Sequence, residues 1–230
     1  MAKNYLLGFG ATHLNATYYG QDLILEQSMS DVHKINNFAK ERGYATKIFE
    51  GKKATISNFR MQFDYLSDSL DAGDTLMFYF SGYGSQVNNA HNRCLKTYCF
   101  ADGQIAHFEL LNWIAGLVSG VNVLVILDCS HFPQSGGKTL PLSISANLDG
   151  LKVSKDIYEN LPIEMEGGQN LTFLLAAQKD QLAYEGVFTS AIADLMFNDP
   201  NMNIHEAWAL IGRHCKQFGQ KPRMIIRKKE

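Results

Sequence analysis

Apolar runs and amphipathic stretches alternate along the chain. Residues 4–9, NYLLGF, predict a first strand. From Asp31 to Lys40 the apolar residues Val32, Ile35, Phe38 and Ala39 fall on one helical face. Residues 44–50, YATKIFE, alternate as a half-buried strand does. Ser57 is the candidate cap of a helix in which Phe59, Phe63, Leu66 and Leu70 recur at helical spacing. A strand over 74–80, a helix around 107–118 and a strand over 121–127 follow. Residues 171–177 predict another strand, and Phe188, Ile192, Leu195 and Met196 mark the next helix. Ile204, Ala207, Trp208 and Ile211 lie on one face of a last helix, and PRMIIR (222–227) closes as a strand. About six strands with intervening helices predict an α/β fold, a mostly parallel sheet covered on both faces. The segment from Phe132 to about Asn170 breaks the pattern, being rich in Gly, Ser, Leu and Lys. Such long irregular segments are usually functional or disordered. With no internal repeat and no linker, residues 1–230 read as one domain.

Composition narrows the class. The chain is 46% hydrophobic over 230 residues, enough apolar material for one large domain or two small ones. No stretch approaches the ~20 apolar residues of a membrane span, and the first apolar run is too short for a signal peptide. The expectation is a soluble, cytoplasmic protein. A formal net charge of -2 gives no electrostatic case for nucleic acid, although the C-terminal Arg-Lys-Lys-Glu is locally basic. Cys94, Cys99, Cys129 and Cys215 lack disulfide-like or zinc-like spacing and read as free thiols. His13, His33, His91, His107, His205 and His214 show no metal-ligand spacing, so neither metal nor cofactor is expected.

Two strands end in small polar residues. DTLMFYFSGYGSQ (74–86) runs into Ser81-Gly82-Tyr83-Gly84-Ser85, and VNVLVILDCSHF (121–132) into Asp128-Cys129-Ser130-His131. In parallel sheets ligands bind beyond the carboxyl ends of the strands. Gly82 and Gly84 suit a tight turn that brings backbone N–H groups close to a ligand. By periodicity alone, the first segment reads equally well as a plain turn and Asp128 as a helix cap. A flavodoxin-like or Rossmann nucleotide binder would share the alternation, but GFGATH after the first strand lacks the third glycine of a dinucleotide fingerprint.

These residues resemble metacaspases and other caspase-like cysteine peptidases. GDTLMFYFSGYGSQ is similar to the family's strand ending in Ser-Gly-His-Gly, whose His is the catalytic base. VLVILDCSHF is similar to its strand ending in Asp-Ser-Cys-His-Ser-Gly, whose Cys is the nucleophile. LEQSMSDVHKINNFAKERGY resembles the early Cys-x-x-Asp helix, LLAAQKDQLAYEGVFTSAI a later strand and helix start, and FGQKPR the closing Gln-x-Pro. The matches run in order through nearly the whole chain and imply the caspase fold. Tyr83 stands where the family has its base and Ser130 where it has its nucleophile.

A phenol with a pKa near ~10 is a poor base at neutral pH, and a serine hydroxyl needs a well-placed base to attack a carbonyl. The resemblance with both replacements therefore implies a pseudo-peptidase. Three rescues would make it an unconventional hydrolase instead: Cys129 as nucleophile, His131 paired with Ser130, or a Ser130–Tyr83 pair with Lys138 lowering the phenol's pKa.

The resemblance also assigns a pocket. The metacaspase branch cleaves after Arg or Lys, and the matching pocket positions are Asp31, Asp128, Ser81 and Ser28, the last in place of a cysteine. Gly84 matches a backbone donor of the oxyanion hole. The plain alternative for Asp31 and Asp128 is helix and turn capping. Two carboxylates beside one cavity suit a guanidinium or ammonium guest. The expected partner is a peptide or protein segment with Arg or Lys, with no nucleic acid and no membrane involved. Alternatively Lys138, Lys152 or Lys155, all in the irregular segment, occupies the chain's own pocket. Dimerisation through the last strand is open, and the absence of an appended recruitment domain would leave regulation to partners.

Overall fold

A computed structural model describes residues 2–88, 94–131, 137–140, 168–178, 181–198 and 204–227. Its frame is a six-stranded sheet of β1 (Asn4–Gly10), β4 (Ala45–Glu50), β5 (Thr75–Ser81), β9 (Asn122–Asp128), β10 (Asn170–Leu175) and β11 (Arg223–Arg227), in the order β11-β10-β9-β5-β1-β4. All neighbours are parallel except β10 and β11. The six strands are those the hydrophobic runs predict, with ends shifted by one or two residues.

The period-two alternation of the central strands divides the core. Leu76, Phe78 and Phe80 of β5 face one side with Leu7 and Phe9 of β1, where Phe59, Phe63 and Leu66 of α3 (Ile56–Ser69) and Leu110 and Ile114 of α4 (His107–Ala115) cover them. Met77 and Tyr79 face the other side with Leu6. There Val32, Ile35 and Phe38 of α2 (Gln27–Glu41), Phe188 and Ile192 of α5 (Val187–Asn198) and Ile211 of α6 (Ile204–Gln217) close the layer. Each helix buries its apolar stripe and leaves its polar face in water, so burial rather than propensity fixes its place.

Three local expectations need correction. Thr55, not Ser57, caps α3: Thr55 is extended and its hydroxyl accepts the Asn58 N–H at 3.1 Å, which places Ser57 inside the first turn. α4 stops at Ala115 rather than 118, because Gly116 follows it. The chain between β5 and α4 forms an unexpected antiparallel sheet of β6 (Gly84–Asn88), β7 (Cys94–Phe100) and β8 (Gly103–Ala106). A further strand pair, β2 (His13–Leu14) and β3 (Leu23–Ile24), brackets the short α1 (Ala16–Tyr19). Most of the irregular segment, including Lys152 and Lys155, lies outside the described residues, as do residues 228–230 of the basic C-terminus. Among the described residues no helix is long and apolar enough to cross a membrane.

The topology sets the site. From β1 the chain moves outward to β4, then returns to the far side of β1 and proceeds through β5, β9 and β10. The direction reverses at β1 and β5, where parallel sheets open a crevice at their carboxyl ends. Register brings Ser81 level with both Gly10 and Asp128.

Candidate active site and its occupant

Asp31 and Ser28 lie one turn apart on α2, so both side chains face the sheet and are completely buried. Ser81 ends β5 and Asp128 ends β9, directly opposite each other and equally buried. The structure therefore brings three of the four expected pocket residues, Asp31, Ser81 and Asp128, together, while the buried Ser28 hydroxyl makes no hydrogen bond to them. Neither aspartate is a helix cap: Asp31 sits inside α2, and both carboxylates point at one cation.

That cation is Lys138, whose side chain has no exposure to solvent. Its Nζ lies 2.8 Å from Asp31 Oδ2, 2.9 Å from Asp128 Oδ2 and 2.8 Å from Ser81 Oγ. An ammonium has three protons to donate, and here each finds an acceptor. Ser81 Oγ in turn donates to Asp31 Oδ2 at 3.1 Å, and Gln27 Nε2 donates to Asp31 Oδ1 at 3.2 Å. Thr189 donates to Asp128 Oδ2 at 2.6 Å, which leaves its own oxygen to accept the Tyr79 hydroxyl, also at 2.6 Å. Burial works against the ammonium, but Asp128 and Asp31 outweigh it and hold the Lys138 pKa above the ordinary lysine value. Burial likewise pushes the Asp128 carboxyl up, against the pull of Lys138. Such a cage is costly to desolvate and costlier to break on one side only.

The backbone of the same segment is held as closely. The Lys138 carbonyl accepts N–H bonds from Gly84 at 2.9 Å and Ser130 at 3.3 Å. The Lys138 N–H donates to Ala183 O at 2.9 Å, and the Leu140 N–H to Gly84 O at 2.7 Å, so Thr139 pairs with Gly84 as a one-residue parallel bridge. Two N–H groups thus converge on the Lys138 carbonyl, the Gly84 N–H through the ordinary hydrogen bonding of the parallel bridge. Gly84, which the resemblance matches to an oxyanion-hole donor, is one of the two and Ser130 is the other. A Cβ at Gly84 would lie 2.2 Å from Ser130 O, so only glycine allows this approach. At Gly137, with φ of +51°, a Cβ would meet Ala183 O at 2.3 Å.

The nucleophile position faces this bond without a base. Ser130 is completely buried, and its Oγ is hydrogen-bonded to Thr139 Oγ1 at 2.6 Å. Tyr83 packs beside Leu14, Tyr19, Cys99 and Leu140, and burial, Glu185 and Cys99 raise its phenol pKa. Lys138 is committed to the ion cage and does not lower it. The neighbouring candidates are poorly placed for chemistry. Cys129 is buried in the core, where desolvation drives its thiol pKa well up. His131 bonds Thr97 O through Nε2 at 3.0 Å and lies 5.4 Å from the Tyr98 ring, and burial with nearby Lys96 and His107 lowers its pKa to about 3. Among the described residues no His, Cys, Asp or Glu cluster could hold a metal ion.

Sequence reasoning did not single out Tyr79, Thr139, Leu140, Ala183 or Thr189. Ala183 acts through its carbonyl, which no side-chain pattern reveals. Thr189 opens α5 within the stretch Gly-Val-Phe-Thr, and that helix start was its only signal.

The caspase domain (Peptidase_C14) matches residues 12–226, and the chain belongs to this family. A crystal structure of protein GSU0716 from Geobacter sulfurreducens superposes with a TM-score of 0.86 at 21% identity, covering 99% of this chain and 94% of that one. It supports the fold. No curated protein matches the chain.

Proposed function

We propose that this caspase-domain protein is catalytically silent and that its former substrate cleft binds a basic protein segment, with its own Lys138 as the resident occupant. The reading is carried by one observation: Lys138 fills the acidic pocket with its carbonyl between two N–H donors, while the adjacent nucleophile position holds a serine hydroxyl bonded to Thr139. A thiol and an imidazole at these two positions would form an activated pair. A serine and a phenol of raised pKa leave the hydroxyl proton without an acceptor strong enough to take it.

Hydrolysis of fluorogenic peptides with Arg, Lys or Asp before the scissile bond tests the reading. The full chain is compared with a Tyr83→His/Ser130→Cys variant. We expect no turnover by the natural chain and cleavage after Arg or Lys by the double variant. Turnover by the natural chain that stops on Ser130→Ala would make the protein an unconventional hydrolase.

A further inference from the structure

Beyond the acidic pocket, the resident segment makes two contacts that depend on the residues replacing the dyad. Thr139, next after the basic residue, bonds Ser130 Oγ through its own hydroxyl at 2.6 Å. Leu140, the second after it, is buried in an apolar cluster with Leu14, Tyr19 and Cys99, and Tyr83 and Leu23 pack against the outside. The bridge to Gly84 fixes the alternation, so that Lys138 and Leu140 enter separate recesses while Thr139 faces the strand end. A polar imidazole at position 83 would abut the aliphatic side chain with a ring that prefers hydrogen-bond partners. A thiol at position 130 would be a weak partner for a threonine hydroxyl.

Resting on the reading of the cleft as noncatalytic, we propose that Ser130 and Tyr83 have become recognition residues, and that the site reads a basic–hydroxyl–aliphatic tripeptide such as Lys-Thr-Leu in an extended segment of another protein. Lys138-Thr139-Leu140 is the internal version of that ligand. The acidic pocket sets the basic residue, Ser130 sets the hydroxyl, and the Leu14–Tyr19–Cys99–Tyr83 recess sets the aliphatic side chain. An external segment competes with the internal one for the same N–H and C=O groups of Gly84.

The test uses the full chain and its Lys138→Ala variant with a fluorescein-labelled peptide, Gly-Lys-Thr-Leu-Pro, whose binding is followed by anisotropy. The variant should bind at least ~10-fold more tightly than the natural chain, because its internal competitor has lost its anchor. On the variant, replacing the peptide's Thr by Val should weaken binding by ~5-fold, the loss of one hydrogen bond. Replacing its Leu by Asp should weaken binding by ~10-fold or more, and replacing its Lys by Glu should abolish it. The Thr-to-Val difference should vanish on Ser130→Ala, and the Leu preference should shrink on Tyr83→Ala. Where Lys138→Ala does not fold, Gly137→Ala keeps every charge of the site, loosens the internal segment at a position of φ +51° and carries the same comparisons. Equal binding of the Leu and Asp peptides, a Thr-to-Val difference that survives Ser130→Ala, or no binding to a folded variant would overturn the proposal. Mass spectrometry of the recovered peptide separates the two readings. Cleaved peptide overturns the noncatalytic reading, whereas intact peptide bound without discrimination overturns only the recognition of the two following residues.

Discussion

The hydroxyls of Ser130 and Thr139 lie 2.6 Å apart, on residues that are completely or almost completely buried. The carbonyl of the Lys138–Thr139 bond accepts N–H bonds from Gly84 and Ser130, the kind of donor pair that acyl transfer uses. What the site lacks, on the noncatalytic reading, is a thiol with a proton acceptor. Supplying it should turn the resident segment into a substrate. The Tyr83→His/Ser130→Cys variant is expected to cut itself between Lys138 and Thr139, giving fragments 1–138 and 139–230 by intact mass. Ser130→Cys alone should leave the chain whole over the same time. Cutting at another bond would mean that this register is not the reactive one.

Lys138 should be a principal stabilising residue of the site. Replacing it by alanine leaves two buried carboxylates facing each other, and breaking such a pair from one side costs about 3–5 kcal/mol. Denaturant midpoints should show that loss, and Asp31→Asn/Lys138→Met, which removes one charge of each sign, should be milder than Lys138→Met. The pH dependence follows from the raised Lys138 pKa. Its contribution is fully present below the unfolded lysine value near ~10.5 and lost as pH rises through the higher folded value. The difference between the natural chain and Lys138→Met should therefore stay flat from neutrality to the lysine range and narrow only above it.

Acid should loosen the other side of the site. Burial, with Lys96 adding to it, lowers the His107 pKa to about 4, and burial, Lys96 and His107 lower that of His131 to about 3. The Tyr98 hydroxyl is hydrogen-bonded to His107 Nδ1 at 2.6 Å. Unfolded, both rings protonate near ~6.5, so the unfolded chain binds more protons below that pH. Stability should fall from about pH 6.5 downward, each histidine contributing a slope of up to about 1.4 kcal/mol per pH unit until its folded pKa is reached. Urea midpoints at pH 7, 6 and 5 check this, and His131→Gln should flatten the decline. An unchanged slope would mean that His131 is not held neutral in the fold.

The sheet was legible because β1, β5 and β9 are buried on both faces and read as continuous apolar runs. The β6–β8 sheet was not, because CLKTYCF and GQIA mix polar and apolar residues without clean alternation. Asp31, Ser81 and Asp128 could be named from the resemblance, since they lie inside or at the end of patterned elements. Which lysine would meet them could not. Lys138 follows two glycines in an irregular stretch, where a lysine ordinarily reads as solvent-exposed. Its burial depends on a partner 107 residues away, a pairing that composition and period do not encode. Thr139 and Leu140 were hidden for the same reason, because each has meaning only once Lys138 fixes the register against Gly84.

Glycine substitutions separate close approach from helix propensity. At Gly84 an added methyl would meet Ser130 O at 2.2 Å, a backbone atom that cannot swing aside. Gly84→Ala should therefore push the Gly84 strand end away from Ser130 and weaken its bond to the Lys138 carbonyl. Hydrogen exchange at the Gly84-position and Leu140 amides should rise, since their partners belong to the same bridge. Gly137→Ala meets Ala183 O at 2.3 Å and is strained at φ of +51° as well, so it should release the segment at its other end. Gly212 lies within α6, and a methyl there meets nothing within 4 Å. Gly212→Ala should raise stability by roughly 0.5–1 kcal/mol and leave exchange at the bridge unchanged. If all three variants behaved alike, the tight fit around the Lys138–Thr139 bond would have no energetic weight. Loss of protection confined to Gly84→Ala and Gly137→Ala would tie that weight to the two contacts that hold Lys138 in the cleft.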